Sequence, residues 1–273
     1  MTNENIDFTK SEQYTLSIRL STDGFSFSIY NPLGGSDFYF RSYAVNTQRS
    51  MAANVKSFLA ETDELNHSFK QTNILIHTSR YTPVPLEFFE DEQSETLFYQ
   101  NLPKQNNELI LCNVLGKSNV VILFSIDKLT HLYLSEKFPD ARFFSTVSPQ
   151  IEYFCTRSKK GNNDKLFANL HNNSMDVFGF IKGRLQLVNS YSVTTREDRC
   201  YYLLNIWKQV GFDQETDELH LTGMPEQRNQ LMDALKRYIR HIFIINPQAD
   251  FNESHTSRIE EIPFDIQSLL ICE

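Results

Sequence analysis

The sequence predicts an α/β protein with two similar halves, each a mixed sheet opened by three antiparallel strands and flanked by helices. The main observation is one order of elements, three strands followed by a helix and a fourth strand, that occurs twice. Matching elements lie at a nearly constant distance, since 151 residues separate Phe25 from Asp176 and 145 separate Ile74 from Leu219. Hydrophobic residues make up 40% of the 273 residues, which is enough for two cores.

The first half opens with a predicted hairpin. Apolar residues alternate with polar ones over Tyr14–Leu20 and again over Phe25–Tyr30, which is the period of β-strands. The Thr22-Asp23-Gly24 sequence between them is typical of a tight turn. A strand, a helix and a short buried strand then follow, predicted around Phe38–Val45, Met51–Leu59 and Asn73–His77.

The second half repeats this order. Strands are predicted at Leu166–Leu170, Asp176–Ile181 and Leu185–Val193, and His171–Ser174 forms the first turn. Thr194 and Glu197 predict a capping box that opens a helix, which ends at Gly211. The remaining predicted elements are a strand, a helix and a strand, at Glu218–Thr222, from Pro225 and at His241–Ile245.

The residues between the two repeats predict a hairpin insertion near 108–125 and two helices, Asp127–Lys137 and one that starts at Ser148. Gly116-Lys117-Ser118 is the hairpin turn, because a P-loop needs a glycine where Leu111 stands. The acidic run Glu87–Glu95 predicts a solvated amphipathic helix, with a partner-binding edge as the alternative. Polar residues near 163 mark the boundary, so the predicted domains are 1–162 and 163–273.

Composition excludes several classes of protein. The net charge of −8 disfavours a nucleic-acid binder, which needs a basic face to replace phosphate counterions. The four cysteines are far apart and the seven histidines lack metal-ligand spacing, so we expect no metal site. The N-terminus has no signal-peptide pattern, and no apolar run approaches the ~20 residues of a membrane helix. We therefore expect a cytoplasmic protein without membrane insertion.

The repeated order of elements resembles the superfold of actin, sugar kinases and heat-shock chaperones, whose halves are ribonuclease-H-like. The chain also resembles a bacterial family of unknown function assigned to this actin-like ATPase fold. The resemblance covers nearly the full length and implies a nucleotide site between the halves. In the superfold, an Asp-x-Gly-Thr-like turn in the first hairpin and a similar turn in the second contact the phosphates. A Gly-Gly pair after a later strand admits the adenosine.

Position by position, this sequence departs from that pattern. Arg19 stands in the acidic position of the first hairpin and Ser21 in the place of its glycine. Asn169 and His171 stand in the corresponding places of the second hairpin. The family's carboxylates hold Mg²⁺ and position the nucleophile, and neither arginine nor asparagine can replace them well. The resemblance thus implies an ATPase fold whose metal-binding acids are missing.

The adenosine strand keeps only Gly223, because Met224 replaces the second glycine. Glycines let backbone N–H groups approach phosphates closely, so their loss also weakens a nucleotide site. An alternative alignment, shifted by two residues, makes Asp23-Gly24 the acidic turn, although a tight hairpin turn explains these two residues better.

We predict a crevice between the halves that no longer serves a phosphate. Its expected lining comprises Arg19, Ser21, Thr22, Asp23, Gly24, Asn169, His171, Asn172, Asn173, Ser174, Thr222 and Gly223. The predicted function is a non-catalytic interaction or assembly protein, a pseudo-ATPase with a protein partner and no cofactor. The alternative is an ATP-binding enzyme or nucleotide-dependent switch that uses ATP and Mg²⁺.

Overall fold

The computed structural model describes residues 6–32, 38–245 and 262–272. These residues form two compact units. The first holds residues 6–32, 38–114, 119–148 and 262, and the second holds residues 115–118, 149–245 and 263–272. Within these ranges, no helix has both the length and the apolar character that crossing a membrane requires.

Strands and helices are numbered in chain order. The strands are β1 (Thr15–Ser21), β2 (Gly24–Tyr30), β3 (Phe38–Tyr43), β4 (Gln71–Ile76), β5 (Tyr81–Pro85), β6 (Glu108–Leu115), β7 (Val120–Asp127), β8 (Arg142–Ser145), β9 (Lys165–Leu170), β10 (Ser174–Ile181), β11 (Arg184–Ser192), β12 (Glu218–Gly223) and β13 (His241–Ile244). The helices are α1 (Met51–Glu61), α2 (Ser94–Asn101), α3 (Lys128–Lys137), α4 (Val147–Ser158), α5 (Arg196–Val210), α6 (Pro225–Leu235) and α7 (Phe264–Cys272). Short 3-10 helices cover Phe8–Gln13, Asp63–Asn66, Leu86–Phe88 and Asp91–Gln93.

Each unit contains a five-stranded sheet, and the two sheets have the same topology. The strand orders are β3-β2-β1-β4-β8 and β11-β10-β9-β12-β13. The first three strands of each sheet are antiparallel neighbours, and the other two run parallel to its central strand. The α/β fold class, two halves that each open with three antiparallel strands, is confirmed.

The opening hairpins of the two sheets also share their register. Arg19 pairs with Ser26 in the first, and Asn169 pairs with Asp176 in the second, so each pair is 7 residues apart. The first hairpin turns at residues 22 and 23, and the second at residues 172 and 173. A residue of the first hairpin therefore corresponds to the residue 150 positions later in the second, and Arg19 is equivalent to Asn169.

A third sheet, of order β5-β7-β6, belongs mainly to the first unit. It contains the predicted hairpin insertion, and its small core includes Val84, Phe98, Val121 and Leu123. The predicted helix over Glu87–Glu95 is wrong, because 3-10 helices precede α2 there. The Ser94 hydroxyl donates to the Asp91 carbonyl at 2.7 Å, which fixes the break between the last 3-10 helix and α2.

The start of α5 differs by one residue from the sequence prediction. Its N-cap is Thr195, not Thr194, and the Thr195 side chain accepts a hydrogen bond from the Asp198 N–H at 3.1 Å. The Thr195 hydroxyl also donates to the Asp198 carboxylate at 2.7 Å. Two threonines in succession offer two caps, each with an acidic residue three positions later, and the structure uses the second.

Helix α4 packs its aromatic side chains within the second unit. The ring of Phe154 stacks on Phe167 of β9, with ring centroids 4.5 Å apart, and on Phe264 of α7, with centroids 5.5 Å apart. The boundary expected at residues 162 and 163 placed this helix in the first half. Its ring contacts instead lie with the second sheet.

Candidate functional site

The first hairpin carries five of the predicted site residues. Arg19 lies in β1 and is only 9% exposed, and its paired neighbours in the adjacent strands are Ser26 and Leu75. Ser21 ends β1, Thr22 and Asp23 form the turn, and Gly24 begins β2. The strand residues directly paired with Arg19 thus include no carboxylate.

The second sheet carries a polar row at the equivalent level. Asn169 pairs with Asp176 on one side and with Thr222 on the other, and Asp176 pairs in turn with Ser190. Directly paired residues point to the same face of a sheet, so these four side chains share one face. The Asn169 amide donates to the side-chain oxygen of Gln150 in α4 at 2.9 Å.

Asp176 is the fully buried acid of this row. One carboxylate oxygen lies 2.8 Å from the His171 Nε2, and the other accepts a hydrogen bond from the Ser190 hydroxyl at 2.5 Å. Both oxygens therefore have partners within the second unit. Hydrogen bonds to both oxygens reduce the cost of removing a carboxylate from water.

A buried arginine supports the turn of the second hairpin. Arg199 of α5 is 3% exposed, and its Nη2 donates to the carbonyls of His171 and Asn172 at 3.1 and 3.0 Å. Burial lowers the pKa of this guanidinium. The turn is closed by the His171 N–H, which donates to the Ser174 carbonyl at 3.0 Å. Arg199 thus stabilises the backbone of the predicted phosphate turn from within the protein.

Gly223 is required by a close approach between strands. It ends β12 with a φ of +87°, and a Cβ placed there would lie 2.2 Å from the Leu170 carbonyl oxygen. The same Cβ would lie 2.8 Å from the Asn169 Oδ1. Packing within the second unit is a sufficient reason for a glycine at this position, with or without a ligand.

The structure brings the predicted residues together in two groups. The first hairpin holds Arg19 and residues 21–24, and one end of the second sheet holds Asn169, Thr222, Gly223 and residues 171–174. That these groups line a common crevice stays a prediction. Sequence reasoning missed Asp176 and Arg199 as members of the second group. Asp176 could have been suspected, as a lone acid in an otherwise apolar strand.

Comparisons with known proteins agree with this fold. Residues 3–242 match the family described as "Protein of unknown function (DUF3822)". A crystal structure of a Bacteroides thetaiotaomicron protein, described as having an actin-like ATPase fold and unknown function, is 47% identical with a TM-score of 0.87. The alignment covers 99% of this chain and 100% of that chain.

A more distant likeness is to a PilM-PilN type IV pilus biogenesis complex. The identity is 11% and the TM-score is 0.57, over 94% of this chain and 98% of that chain. At this identity the likeness shows the fold alone. No curated protein matches the sequence.

Proposed function

The chain belongs to the DUF3822 family and has an actin-like ATPase fold, and from this premise we propose that it is a pseudo-ATPase. It uses the fold as a non-catalytic interaction or assembly protein in the cytoplasm and binds a protein partner. The equal topology of its two sheets supports an origin by internal duplication.

The observation that carries this proposal is the equivalence of Arg19 and Asn169. The superfold resemblance places metal-organising acids at these two positions, and both are occupied by residues that bind a cation poorly. Arg19 carries a permanent positive charge, which repels Mg²⁺. Asn169 is neutral, and its amide group is hydrogen-bonded to Gln150.

The other polar groups of the second unit also fit a magnesium nucleotide poorly. Asp176 is the acid next to Asn169, but both of its oxygens accept hydrogen bonds from His171 and Ser190. Mg²⁺ prefers oxygen ligands and would have to displace these partners from a carboxylate with no exposed area. The close approach of the Leu170 backbone already explains why residue 223 is a glycine. Gly223 is therefore no evidence for an adenosine site.

The protein-binding part of the proposal rests on analogy of fold. The PilM-PilN complex shows that a protein chain of similar fold occurs in an assembly with another protein. Fold-level analogy supports the class of function and not the partner. The partner's chemistry therefore has to come from surfaces of this chain.

Two measurements test the absence of ATPase function. Purified protein with ATP and Mg²⁺ should release no phosphate above the buffer blank. Its thermal midpoint should not rise with ATP, ADP or simple anions. A ligand present at 100 times its dissociation constant would add about 2.7 kcal/mol of stability, which such a measurement detects.

The Asp23→Ala variant provides the control for the alternative alignment. If the natural chain releases phosphate and this variant does not, Asp23 is the acidic residue and the pseudo-ATPase proposal is wrong. An ATP-dependent rise in thermal midpoint without hydrolysis would support the nucleotide-dependent switch instead.

A further inference from the structure

The segment that joins β5 to α2, with its flanking residues, combines a high negative charge with an exposed aromatic ring. Residues 81–103 contain five acidic residues and no lysine, arginine or histidine. The acids are Glu87, Glu90, Asp91, Glu92 and Glu95, and all five are exposed. Phe88 lies among them and is 69% exposed, more than any other large hydrophobic residue that the structure describes.

These five carboxylates lack the partners that acidic residues have elsewhere in the chain. Glu64, Glu108 and Glu215 each form an ion pair with an arginine, at 2.7, 2.8 and 2.9 Å. Among the described residues, none of the acids within 87–95 forms an ion pair. Like charges without an internal counter-charge attract a partner of opposite charge.

The backbone around Phe88 is held in place. Leu86 and Phe89 pack against the small core of the third sheet. The Leu86 N–H donates to the Asn119 carbonyl at 3.1 Å, and the Phe89 N–H donates to the Leu86 carbonyl at 3.3 Å. Phe88 is therefore exposed on an ordered segment, and a partner that covers it pays little conformational entropy there.

An exposed apolar strip of β6 borders this acidic segment. Ile110, Cys112 and Val114 alternate along the strand, so they share one face of the third sheet. Ile110 packs against the core, whereas Cys112 is exposed and Val114 is 57% exposed. Partial burial raises the pKa of Cys112, and the negative charge of Asp91 raises it further, so Asp91 lies close to the strip.

We propose that this acidic surface, formed by residues 87–95 with Cys112 and Val114, binds a basic amphipathic segment of a partner protein. Lysine and arginine side chains of the partner pair with the carboxylates, and its apolar side chains cover Phe88 and Val114. A small cation supplies only the first of these properties. A second copy of this chain is disfavoured, because it brings its own net charge of −8.

This inference rests on the proposed function, because it gives the chemistry of the partner that an interaction protein binds. The two can fail separately, since one is tested with peptides and the other by phosphate release. A chain that selects no basic peptide and releases no phosphate would refute only the present inference. A chain that selects a basic peptide and hydrolyses ATP would refute only the pseudo-ATPase proposal.

The first experiment determines which peptides the natural chain selects from a phage-displayed library of random peptides. The selected peptides should be rich in lysine and arginine and should also carry large apolar residues. A selection without enrichment, or one that enriches acidic or neutral peptides, would overturn the proposal.

The second experiment measures the dissociation constant of the most enriched peptide by fluorescence anisotropy. Phe88→Ser should raise this constant about tenfold or more, because it removes the central apolar contact. Leu129→Ser is the matched control, since Leu129 of α3 is 50% exposed, and it should leave the constant unchanged. No effect of Phe88→Ser, or equal effects of the two variants, would refute the surface.

The same titration separates local charge from net charge. The double variant Glu87→Gln with Glu92→Gln should weaken binding about tenfold. The control is Glu12→Gln with Glu226→Gln, which changes the net charge equally at two other exposed acids without ion pairs. It should have little effect, because salt screens distant charges. Equal weakening by both double variants would show that net charge alone attracts the peptide.

The third experiment locates the bound peptide through the thiol of Cys112. N-ethylmaleimide alkylates accessible thiols, and mass spectrometry measures the modification at each cysteine. A saturating amount of the peptide should slow the alkylation of Cys112 severalfold and leave that of the partly exposed Cys200 unchanged. Unchanged alkylation of Cys112, or equal protection of both cysteines, would contradict docking on the acidic surface.

Discussion

The two five-stranded sheets have the same topology but bury different side chains at equivalent positions. One row across the second sheet consists of Phe178, Phe167 and His220. The equivalent row of the first sheet consists of Ser28, Ser17 and Asn73. An aromatic row in one unit is thus a small polar row in the other.

The aromatic row of the second unit has close ring contacts. Phe154 of α4 packs on Phe167 and Phe178, with ring centroids 4.5 and 5.0 Å away. Phe167 also stacks on His220, at 4.9 Å between centroids. Buried aromatic side chains contribute large apolar areas, and their favourable pair geometry adds about 0.5–1.5 kcal/mol each.

The polar row of the first unit lacks this stabilisation. Ser17 and Ser28 are fully buried, and their hydroxyl groups have no hydrogen-bond partner among the described residues. A buried hydroxyl without a partner costs about 1–3 kcal/mol. The two sheets share their strand order, which follows from the alternation of apolar and polar residues and from the positions of the turns. They differ in the identity of their buried residues, which determines how strongly each sheet is stabilised.

The largest expected effect comes from Phe167→Ala, which should reduce the free energy of unfolding of the second unit by about 3–5 kcal/mol. The matched variant in the first unit is Ser17→Ala, at the equivalent position, which should be neutral or stabilising because it removes an unsatisfied hydroxyl. Urea denaturation followed by Trp207 fluorescence reports on the second unit, since this residue is the single tryptophan and is 2% exposed.

Far-UV circular dichroism follows both units in the same titration. A large loss from Ser17→Ala would mean that its hydroxyl is satisfied in solution, and the contrast between the two rows would fail. A small loss from Phe167→Ala would mean that the second core repacks around the cavity.

Gly223→Ala should have the next largest effect, a loss of about 3 kcal/mol. A left-handed conformation of a non-glycine residue and an overpacked contact each cost about 1–3 kcal/mol. The equivalent position of the first sheet is Ile76, which pairs with Leu20 as Gly223 pairs with Leu170. The strand topology therefore does not require a glycine at this position. Gly223 is required only because the Leu170 backbone comes close to it in the second unit.

The matched control for this variant is Gly211→Ala, again followed by Trp207 fluorescence. Gly211 has the same φ of +87°, but a Cβ there would have no atom within 4 Å. It should lose only the conformational part, about 1 kcal/mol. Equal losses from the two variants would show that the Leu170 contact relaxes without cost.

The stability of the second unit should fall at acid pH, because its aromatic row contains the titratable His220. The equivalent residue in the polar row of the first sheet is Asn73, which does not titrate. Burial lowers the pKa of His220, and its hydrogen bond to Glu218 at 2.8 Å offsets this only in part. The unfolded chain, with an ordinary pKa of about 6.5, then binds more protons than the folded one. The associated stability is fully present above about pH 6.5 and is lost as the pH falls towards the folded pKa.

The urea midpoint of the natural chain should therefore fall between pH 7.5 and 5.5, and that of His220→Phe should fall less. Trp207 fluorescence is the suitable probe, because burial also lowers the pKa of His131 in the first unit. Parallel pH profiles for the natural chain and the variant would exclude His220 as the titrating group.

Much of the fold could be predicted from the sequence, because strand alternation and turn residues are local signals. The tight turns at residues 22–23 and 172–173 fixed the hairpin registers, and with them the equivalence of Arg19 and Asn169. The short strand β8 and the proline-containing β5 were missed, because neither has enough alternating residues to show a period.

The candidate site could be predicted only in part. The turn at residues 172–173 places Asp176 opposite Asn169 in the hairpin, so this contact is a local one that the sequence indicates. Arg199 reaches the carbonyls of His171 and Asn172 from a helix more than 20 residues later in the chain. That contact has no signature in the spacing of residues along the sequence, because it depends on how α5 packs.

The smallest expected effect concerns the helices that follow the third strand of each sheet. Helix α1 has a simple cap, in which the Ser50 hydroxyl accepts from the Ala53 N–H at 3.2 Å. Helix α5 has a reciprocal cap between Thr195 and Asp198.

Thr195→Ala should lower the free energy of unfolding by about 1 kcal/mol, the usual contribution of an N-cap hydroxyl, measured by urea denaturation with Trp207 fluorescence. Thr194→Ala, one residue earlier, should change the free energy of unfolding by only a few tenths of that amount. If Thr194→Ala were the more damaging variant, Thr194 and not Thr195 would be the N-cap of α5.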